Sequence, residues 1–236
     1  MNGVWCAPRE TEPKPKLGQN REATMLFSNP FKARMPLAKE ALPGRDMPIW
    51  NGALHAVLGT PTMPPFPAGY AEIVVGLGCF WGAEKLFWQL EGVHATAVGY
   101  AGGLTPNPTY EEVCSGQTGH TEVVLVVYDP AVTDLETILR VFWEEHDPTQ
   151  GFRQGNDMGT QYRSAVFYAE EKDADRVAQS AAAYSAALAE AGFGAITTEI
   201  GPIDQFFYAE DYHQQYLYKV PNGYCGLKGT GISCSD

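Results

Sequence analysis

Cysteine is the side chain in this sequence best suited to covalent chemistry, and Cys79 has the surroundings that such chemistry needs. It lies in the glycine-rich run 76–82, where a short apolar strand is predicted to end and a helix to begin. Backbone N–H groups in a first helical turn lack intrahelical partners and favour a negative charge. The pKa of a cysteine there can fall below its usual value of about 8.5, so the sequence predicts a thiolate near neutral pH. The alternative is a small thiol buried under the helix.

The hydrophobic pattern predicts the elements that must position Cys79. Apolar runs predict strands at 73–77, 93–100, 121–128, 164–168 and 196–200, and helical periodicity predicts helices around 83–90, 135–143 and 177–188. Thr133 and Glu136 have the spacing of a capping box before the second helix. The order β-α-β-β-α-β from 71 to 168 predicts an α+β fold, a two-layer sandwich of the ferredoxin-like, split βαβ type.

Three segments of different character accompany this sandwich. The first 24 residues are polar and interrupted by proline, so we expect them to be disordered, and Met25 is an alternative start. Residues 25–70 are predicted to be an irregular arm packed on the core, with a helical turn around 37–42. Residues 71–200 are predicted to form the core that carries Cys79. Residues 201–236 are predicted to be a long glycine-rich coil tail belonging to the same domain.

Composition excludes several classes of protein. The chain has 236 residues, of which 44% are hydrophobic and 19% charged, as is usual for a globular protein. A net charge of −12 argues against nucleic-acid and anionic-membrane surfaces. The sequence contains neither an apolar run of about 18 residues nor a signal peptide, so we expect a cytoplasmic protein. Five cysteines are an odd and small number for a disulfide scaffold.

Separate motifs along the chain resemble the peptide methionine sulfoxide reductase A family. The most specific is Gly-Cys-Phe-Trp-Gly at 78–82, and the others lie at 99–103, 106–110, 113–116, 119–122, 142–148, 154–157, 159–164, 208–216 and 223–226. The likeness covers about residues 40–236, in order. It implies reduction of methionine sulfoxide, free or in proteins, with the S-epimer as substrate and with no metal or other cofactor. Methionine is oxidised to methionine sulfoxide, and sulfoxide reductases convert it back to methionine.

A methionine sulfoxide has an electrophilic sulfur and a basic oxygen, so its reduction needs a soft nucleophile and an acid. Cys79 suits the first role. Glu122 starts an apolar strand, where desolvation can keep a carboxyl protonated and able to donate. A solvated strand end is the alternative for Glu122, but the resemblance places the family's acid here. His213 is a weaker candidate for the site than Asp157, and the sequence does not reveal its role.

Aromatic residues flank the predicted nucleophile. Phe80 and Trp81 offer an apolar wall for the S-methyl group of the substrate, although both rings could equally belong to the core. The resemblance implies that Tyr110 and Tyr162 hydrogen-bond the sulfoxide oxygen. It also implies that Asp157, in a loop bounded by glycines, lies beside the substrate.

The resemblance further implies a relay of thiols. Attack would leave Cys79 as a sulfenic acid, which condenses with a nearby thiol. Cys225 matches the family's resolving cysteine, and Cys234 would then form a disulfide with it that thioredoxin reduces. We expect Cys114 to be structural and Cys6 to be dispensable.

Other functions fit parts of this pattern. A thiol peroxidase also needs a reactive and a resolving cysteine, and a non-catalytic module could use the same aromatic residues to bind methionine. A zinc site formed by His213, Cys225 and Cys234 would lack the usual pair of closely spaced cysteines. The glycine spacing at 76–82 does not match a dinucleotide-binding turn. We expect a monomer.

Overall fold

A six-stranded sheet forms the centre of the computed structural model, which describes residues 29–234. The strands of this part of the chain are β1 (Ala71–Leu77), β2 (Val93–Ala101), β3 (Thr121–Tyr128), β4 (Arg153–Gln154), β5 (Asp157–Met158), β6 (Ser164–Tyr168), β7 (Glu199–Pro202) and β8 (Phe206–Tyr208). The helices are α1 (Phe80–Trp88), α2 (Tyr110–Cys114), α3 (Leu135–Glu144), α4 (Ala174–Glu190) and α5 (Tyr216–Lys219). The predicted mixture of helix and strand is confirmed. The disorder predicted for residues 1–24, and Cys6 with it, lies outside the described residues.

The sheet has the strand order β7-β6-β1-β3-β2-β8, while β4 and β5 form a separate two-stranded ribbon. Strand β1 pairs antiparallel with β3 and β6, β2 pairs antiparallel with β3 and β8, and β7 runs parallel to β6. Two crossover connections, each containing a helix, therefore join strands that are not neighbours. This arrangement places the C-terminal end of β1 beside the N-terminal end of β3.

Strand β3 lies between β1 and β2 near the middle of the sheet, and all eight of its residues are buried. Val124 and Val126 face a core cluster that includes the apolar sides of α1, α3 and α4. Leu125 and Val127 face the opposite cluster, on which Phe66 and residues of the β7–β8 region pack. A strand buried on both faces carries a continuous apolar run, which is the pattern the sequence shows at 121–128.

Two predicted element boundaries are wrong. The helix α3 is capped by Asp134, whose Oδ1 accepts the Thr137 N–H at 2.8 Å, rather than by Thr133. The N–H of Thr133 already donates to the Asp129 carbonyl, so the chain is still in a turn there. The last parallel strand begins at Glu199 rather than at 196, because the N–H and hydroxyl of Thr197 both donate to the Pro148 carbonyl outside the sheet.

Regular structure continues into the segment after residue 200 that was predicted to be coil. Strand β8 extends the sheet beyond β2, with Ala209 N–H donating to the Val98 carbonyl just past the strand. Helix α5 follows and contacts α1. The short apolar run 206–208 was too brief to be recognised as a strand, and its pairing with β2 depends on contacts distant in sequence.

The segment before β1 contacts the loops around α2. It contains 3-10 turns at Pro30–Lys32 and Ala38–Glu40, the second of them within the predicted helical turn. Arg45 forms an ion pair with Glu112 of α2 at 2.7 Å, and Trp50 donates its indole N–H to Asp211 at 3.3 Å. Among the helices of residues 29–234, none is both long enough and apolar enough to span a bilayer.

Candidate active site

Cys79 occupies the N-cap of α1, immediately after β1. Gly78 before it has φ +102°, a conformation that disfavours side chains, and a Cβ at Gly78 would lie 2.6 Å from Gln154 Cβ. Glycine is therefore needed for the chain to turn from the strand into the helix beside the β4–β5 ribbon. At this position Cys79 is close enough to Glu122 and Asp157 to interact electrostatically with both carboxyl groups.

The protonation state predicted for Cys79 is wrong. The residue is only 6% exposed, and burial raises the pKa of its thiol well above the ordinary value, with a further increase from the Glu122 carboxylate. Hydrogen bonds from the backbone of Trp81 and Gly82 lower the pKa, as expected at a helix N-terminus, but by less than burial raises it. Loss of solvation disfavours the anion more than the helix end stabilises it. The resting residue is a protonated thiol at neutral pH.

Glu122 is the buried acid of the site. It is the second residue of β3, is 1% exposed, and accepts a hydrogen bond from the Phe80 N–H at 3.0 Å through Oε2. Burial raises its pKa to about 8, the Asp157 carboxylate adds to the rise, and the Phe80 N–H opposes it. The solvated strand end considered from the sequence is therefore excluded. At neutral pH this carboxyl is largely protonated and can donate a proton.

Two tyrosines stand near that carboxyl. Tyr110 starts α2 and its ring stacks on Phe80 at a centroid distance of 6.5 Å, while Tyr162 ends a short 3-10 turn before β6. Both rings are partly buried, and burial followed by the Glu122 carboxylate raises the pKa of each phenol. Both hydroxyls are therefore neutral donors. Cys114, on the next turn of α2, hydrogen-bonds to the Tyr110 hydroxyl.

Phe80 and Trp81 follow Cys79 on the first turn of α1. Phe80 is 1% exposed and belongs to the core, whereas Trp81 is only half-buried. The indole N–H of Trp81 donates to His213 Nδ1 at 3.0 Å, and its ring stacks on Tyr216 at 4.2 Å. Phe80 thus packs in the core, whereas the Trp81 ring remains partly accessible beside Cys79.

Three residues of this site have contacts that the sequence could not reveal. His213 and Tyr216 hold Trp81, and Glu210 accepts from the Tyr110 N–H at 2.9 Å and from the Tyr100 hydroxyl at 3.0 Å. All three lie in the motif 208–216. The motif identified the segment, but only the fold brings it against α1 and α2.

The chain around Cys225 lies across the first turn of α1. Cys225 is exposed, and a Cβ added to Gly82 would lie 2.7 Å from its sulfur. The Tyr224 hydroxyl donates to the Asp157 carboxylate at 3.2 Å, and burial raises the pKa of Asp157. The structure therefore brings together Cys79, Asp157 and Cys225, which are far apart in sequence.

Cys234 is held elsewhere. Its N–H donates to Glu144 Oε1 at 2.7 Å, and the Tyr184 hydroxyl donates to the Ile232 carbonyl at 3.1 Å, so this segment lies against α3 and α4. Burial, followed by the Glu144 carboxylate, raises the pKa of the Cys234 thiol to about 11. Cys79, Cys114, Cys225 and Cys234 are all free thiols. Within residues 29–234, no group of three or more His, Cys, Asp or Glu side chains could hold a metal ion.

Comparison with known proteins identifies the family. A family model described as peptide methionine sulfoxide reductase matches residues 71–232. The peptide methionine sulfoxide reductase MsrA of Brucella anthropi is 62% identical over 211 residues, which cover 89% of this chain and 97% of that protein. The chain belongs to the peptide methionine sulfoxide reductase family. This confirms the resemblance found in the sequence motifs.

Solved structures of this family share the fold. Methionine sulfoxide reductase A of Corynebacterium diphtheriae superposes with a TM-score of 0.78 at 50% identity and covers 85% of this chain and 98% of its own. Mxr1 from Saccharomyces cerevisiae in its reduced form gives 0.64 at 34% identity and covers 76% and 99%. The protein is an oxidoreductase that reduces methionine sulfoxide, as the family membership shows.

Proposed function

We propose that Cys79 is the nucleophile and Glu122 the acid in the reduction of methionine S-sulfoxide to methionine. The observation that carries this assignment is the buried Glu122 carboxyl, which has a pKa of about 8 and is bound by the backbone N–H of the residue next to Cys79. This hydrogen bond fixes the proton donor beside the first turn of α1, at whose N-cap the sulfur nucleophile lies. The selection of the S-epimer rests on the family resemblance.

The protonated Cys79 thiol requires that Glu122 handle two protons in the first step. Glu122 gives its proton to the sulfoxide oxygen, which makes the substrate sulfur more electrophilic. The resulting carboxylate then takes the thiol proton as the Cys79 sulfur bonds to the substrate sulfur. The oxygen passes to Cys79 as the sulfur–sulfur bond breaks. The net change is thiol plus sulfoxide to sulfenic acid plus thioether, with one oxygen atom transferred.

The surrounding side chains bind and orient the substrate. Trp81, with Phe80 behind it, covers the S-methyl group, because an apolar wall gains nothing from the polar oxygen and directs it elsewhere. The neutral hydroxyls of Tyr110 and Tyr162 donate to the sulfoxide oxygen. Asp157 accepts a hydrogen bond from the substrate in place of the one that Tyr224 donates in the reduced enzyme.

A relay of thiols then returns Cys79 to its reduced form. The Cys225 sulfur attacks the Cys79 sulfenic acid, water leaves, and a Cys79–Cys225 disulfide forms. Cys234 attacks Cys225, which releases Cys79 as a thiol and leaves a Cys225–Cys234 disulfide. Exchange with the dithiol of thioredoxin reduces that disulfide. The position of Cys225 beside Gly82 supports the first step of this relay.

The proposal also covers the fold type, the domain bounds, the oligomeric state, the location and the cofactors. The four inner strands follow the order β6-β1-β3-β2 with antiparallel pairing, which supports a ferredoxin-like sandwich. Residues 71–236 are proposed to act as one catalytic domain, with 25–70 as its arm. A monomeric, cytoplasmic enzyme that needs no cofactor beyond thioredoxin completes the proposal.

A stoichiometry experiment tests the assignment directly. Fully reduced enzyme is mixed with excess racemic methionine sulfoxide without reductant, and methionine, remaining epimers and free thiols are counted. We expect methionine from the S-epimer only and a mapped Cys225–Cys234 disulfide. In a parallel sample given hydrogen peroxide, consumption of the peroxide, with the sulfoxide of the first sample untouched, would instead indicate a thiol peroxidase. No product with every thiol still reduced would indicate a binding module.

A further inference from the structure

Glu84 is a buried carboxyl that the proposed reaction does not use. It lies on α1, three residues after Trp81, and is fully buried. Its Oε2 accepts the Gln215 N–H at 2.7 Å, and its Oε1 accepts the Gln215 side-chain amide at 2.7 Å and the Thr96 hydroxyl at 3.0 Å. Burying a carboxyl is unfavourable unless such donors satisfy it. Two of the three donors belong to one residue, 131 positions away in sequence.

Gln215 has a backbone conformation that it would not adopt without support. Its φ is +48°, in the left-handed region that few residues other than glycine occupy. Besides its bonds to Glu84, its Oε1 accepts the Ala56 N–H at 3.2 Å. The backbone bond to Glu84 is made by the left-handed residue itself, so the carboxyl directly stabilises this turn.

The turn held in this way carries the residues that hold Trp81. His213 precedes Gln215 by two positions and accepts the Trp81 indole N–H at 3.0 Å. Tyr216 follows Gln215 directly and stacks on the Trp81 ring at 4.2 Å. Helix α1 therefore supplies both the indole ring and, one turn later, the carboxyl that anchors the ring's two neighbours.

We propose that Glu84 is a positioning residue, which fixes the turn 213–216 through Gln215 and thereby sets the orientation of Trp81 beside Cys79. The consequence for substrate rests on the proposed role of Trp81 as the wall for the S-methyl group. A loosened Trp81 ring raises KM for methionine sulfoxide and leaves the chemistry at Cys79 and Glu122 intact.

Gln214 anchors the same turn independently of Glu84, so we expect a variant of Glu84 to remain folded. Gln214 binds the same turn to β2, accepting the Val98 N–H at 2.9 Å and donating to the Val98 and Ala209 carbonyls at 2.9 Å each. Glu84→Gln removes the carboxylate but leaves Gln214 in place. The turn then stays attached to the sheet while its link to α1 is weakened.

The experiment follows the Trp81 indole N–H by nitrogen-15 correlation NMR on the full reduced chain, with the resonance assigned by Trp81→Phe. In Glu84→Gln we expect that resonance to shift or broaden, and KM to rise about tenfold, the size expected for one lost hydrogen-bonded contact, with the single-turnover rate at saturation within about twofold. Thr96→Val is the matched control, because it removes a donor to the same carboxyl without touching the turn, and its indole resonance should not move.

An exchange of the two groups provides a rescue. Glu84→Gln combined with Gln215→Glu restores an amide–carboxylate pair between α1 and the turn, so we expect both the indole resonance and KM to return towards the wild-type values. An unchanged indole resonance in folded Glu84→Gln, or a change that the exchange does not reverse, overturns the positioning role. If the resonance moves while KM for Trp81→Phe equals that of the wild type, Glu84 positions Trp81 but the proposed wall is wrong.

Discussion

The turn that carries Cys79 and the segment that carries Cys225 and Cys234 hold their cysteines in different ways. Cys79 is 6% exposed between a central strand and a helix, with a glycine before it that permits the turn. Cys225 is exposed, and the Cys234 N–H donates to the Glu144 carboxylate at the end of α3. Transfer of an oxygen atom needs a fixed geometry, whereas the relay proposed for the three thiols needs a segment that can move.

The pKa values of Cys79 and Cys234 are both raised by burial and then by a carboxylate, but the two carboxylates lie in different parts of the fold. Burial inside the site raises the pKa of Cys79, and in the proposed reaction Glu122 takes its proton. Partial burial and Glu144 raise the pKa of Cys234 to about 11, in a place remote from that acid. The raised pKa keeps Cys234 protonated near neutral pH, and a thiol is a weaker nucleophile than a thiolate.

Cys79→Ser removes the proposed nucleophile from the turn before α1 and has the largest expected effect. We expect no methionine from any epimer, with or without reductant, because a hydroxyl is far too weak a nucleophile towards sulfur. The measurement is methionine formation by chromatography over hours, and circular dichroism should show an unchanged fold. Residual turnover above that of a heat-denatured sample would remove Cys79 from the nucleophilic role.

Cys225→Ser removes the proposed resolving thiol. With thioredoxin as the only reductant, we expect one methionine per enzyme and then a halt, because the sulfenic acid on Cys79 has no resolving thiol. A rapid-quench time course measures the burst, and dimedone labelling identifies the sulfenic acid. Cys114→Ser is the matched control and should turn over repeatedly. Multiple turnovers by Cys225→Ser would contradict the relay.

Glu122→Gln tests the proton donor and should slow the single-turnover step by about 10²–10⁴-fold, the usual range for general acid catalysis. The pKa of Glu122 is about 8, so the protonated fraction falls as the pH rises above about 8. The wild-type single-turnover rate should fall over the same interval. The Glu122→Gln rate should lack that decline. Equal rates for the two proteins, or a wild-type rate that stays constant up to pH 9, would exclude the acid role.

Glu144→Gln is expected to have the smallest effect, and it tests whether the Glu144 carboxylate restrains the Cys234 thiol. Without the carboxylate, the pKa of Cys234 falls from about 11, so its alkylation by iodoacetamide at pH 8.5 should quicken by up to about tenfold, since one pKa unit changes the thiolate fraction tenfold. Peptide mapping of the alkylated cysteines measures this. The alkylation of Cys225 and the single-turnover rate should not change; an unaltered Cys234 rate would show that Glu144 does not restrain it.

The elements of the fold that can be predicted from sequence are those whose own residues show a clear apolar pattern. Strand β3 was predicted residue for residue at 121–128, because its apolar run needs burial on both faces. Helix α1 follows from its apolar periodicity, and Cys79 from the glycines around it. By contrast, β8 is a run of three residues whose strand conformation depends on pairing with β2, so no local pattern could reveal it.

The residue types available for the chemistry follow from the sequence alone. They are a cysteine at a strand-to-helix turn, an acid at the start of a strand and two cysteines in the last twelve residues. The tertiary structure decided their protonation. Desolvation depends on what covers a group, and the same fold that buries Glu122 enough to keep its proton also keeps the proton on Cys79. It likewise decided that Glu84 meets Gln215 and that Cys234 lies apart from Cys225. These are long-range contacts, and packing of the whole chain sets them.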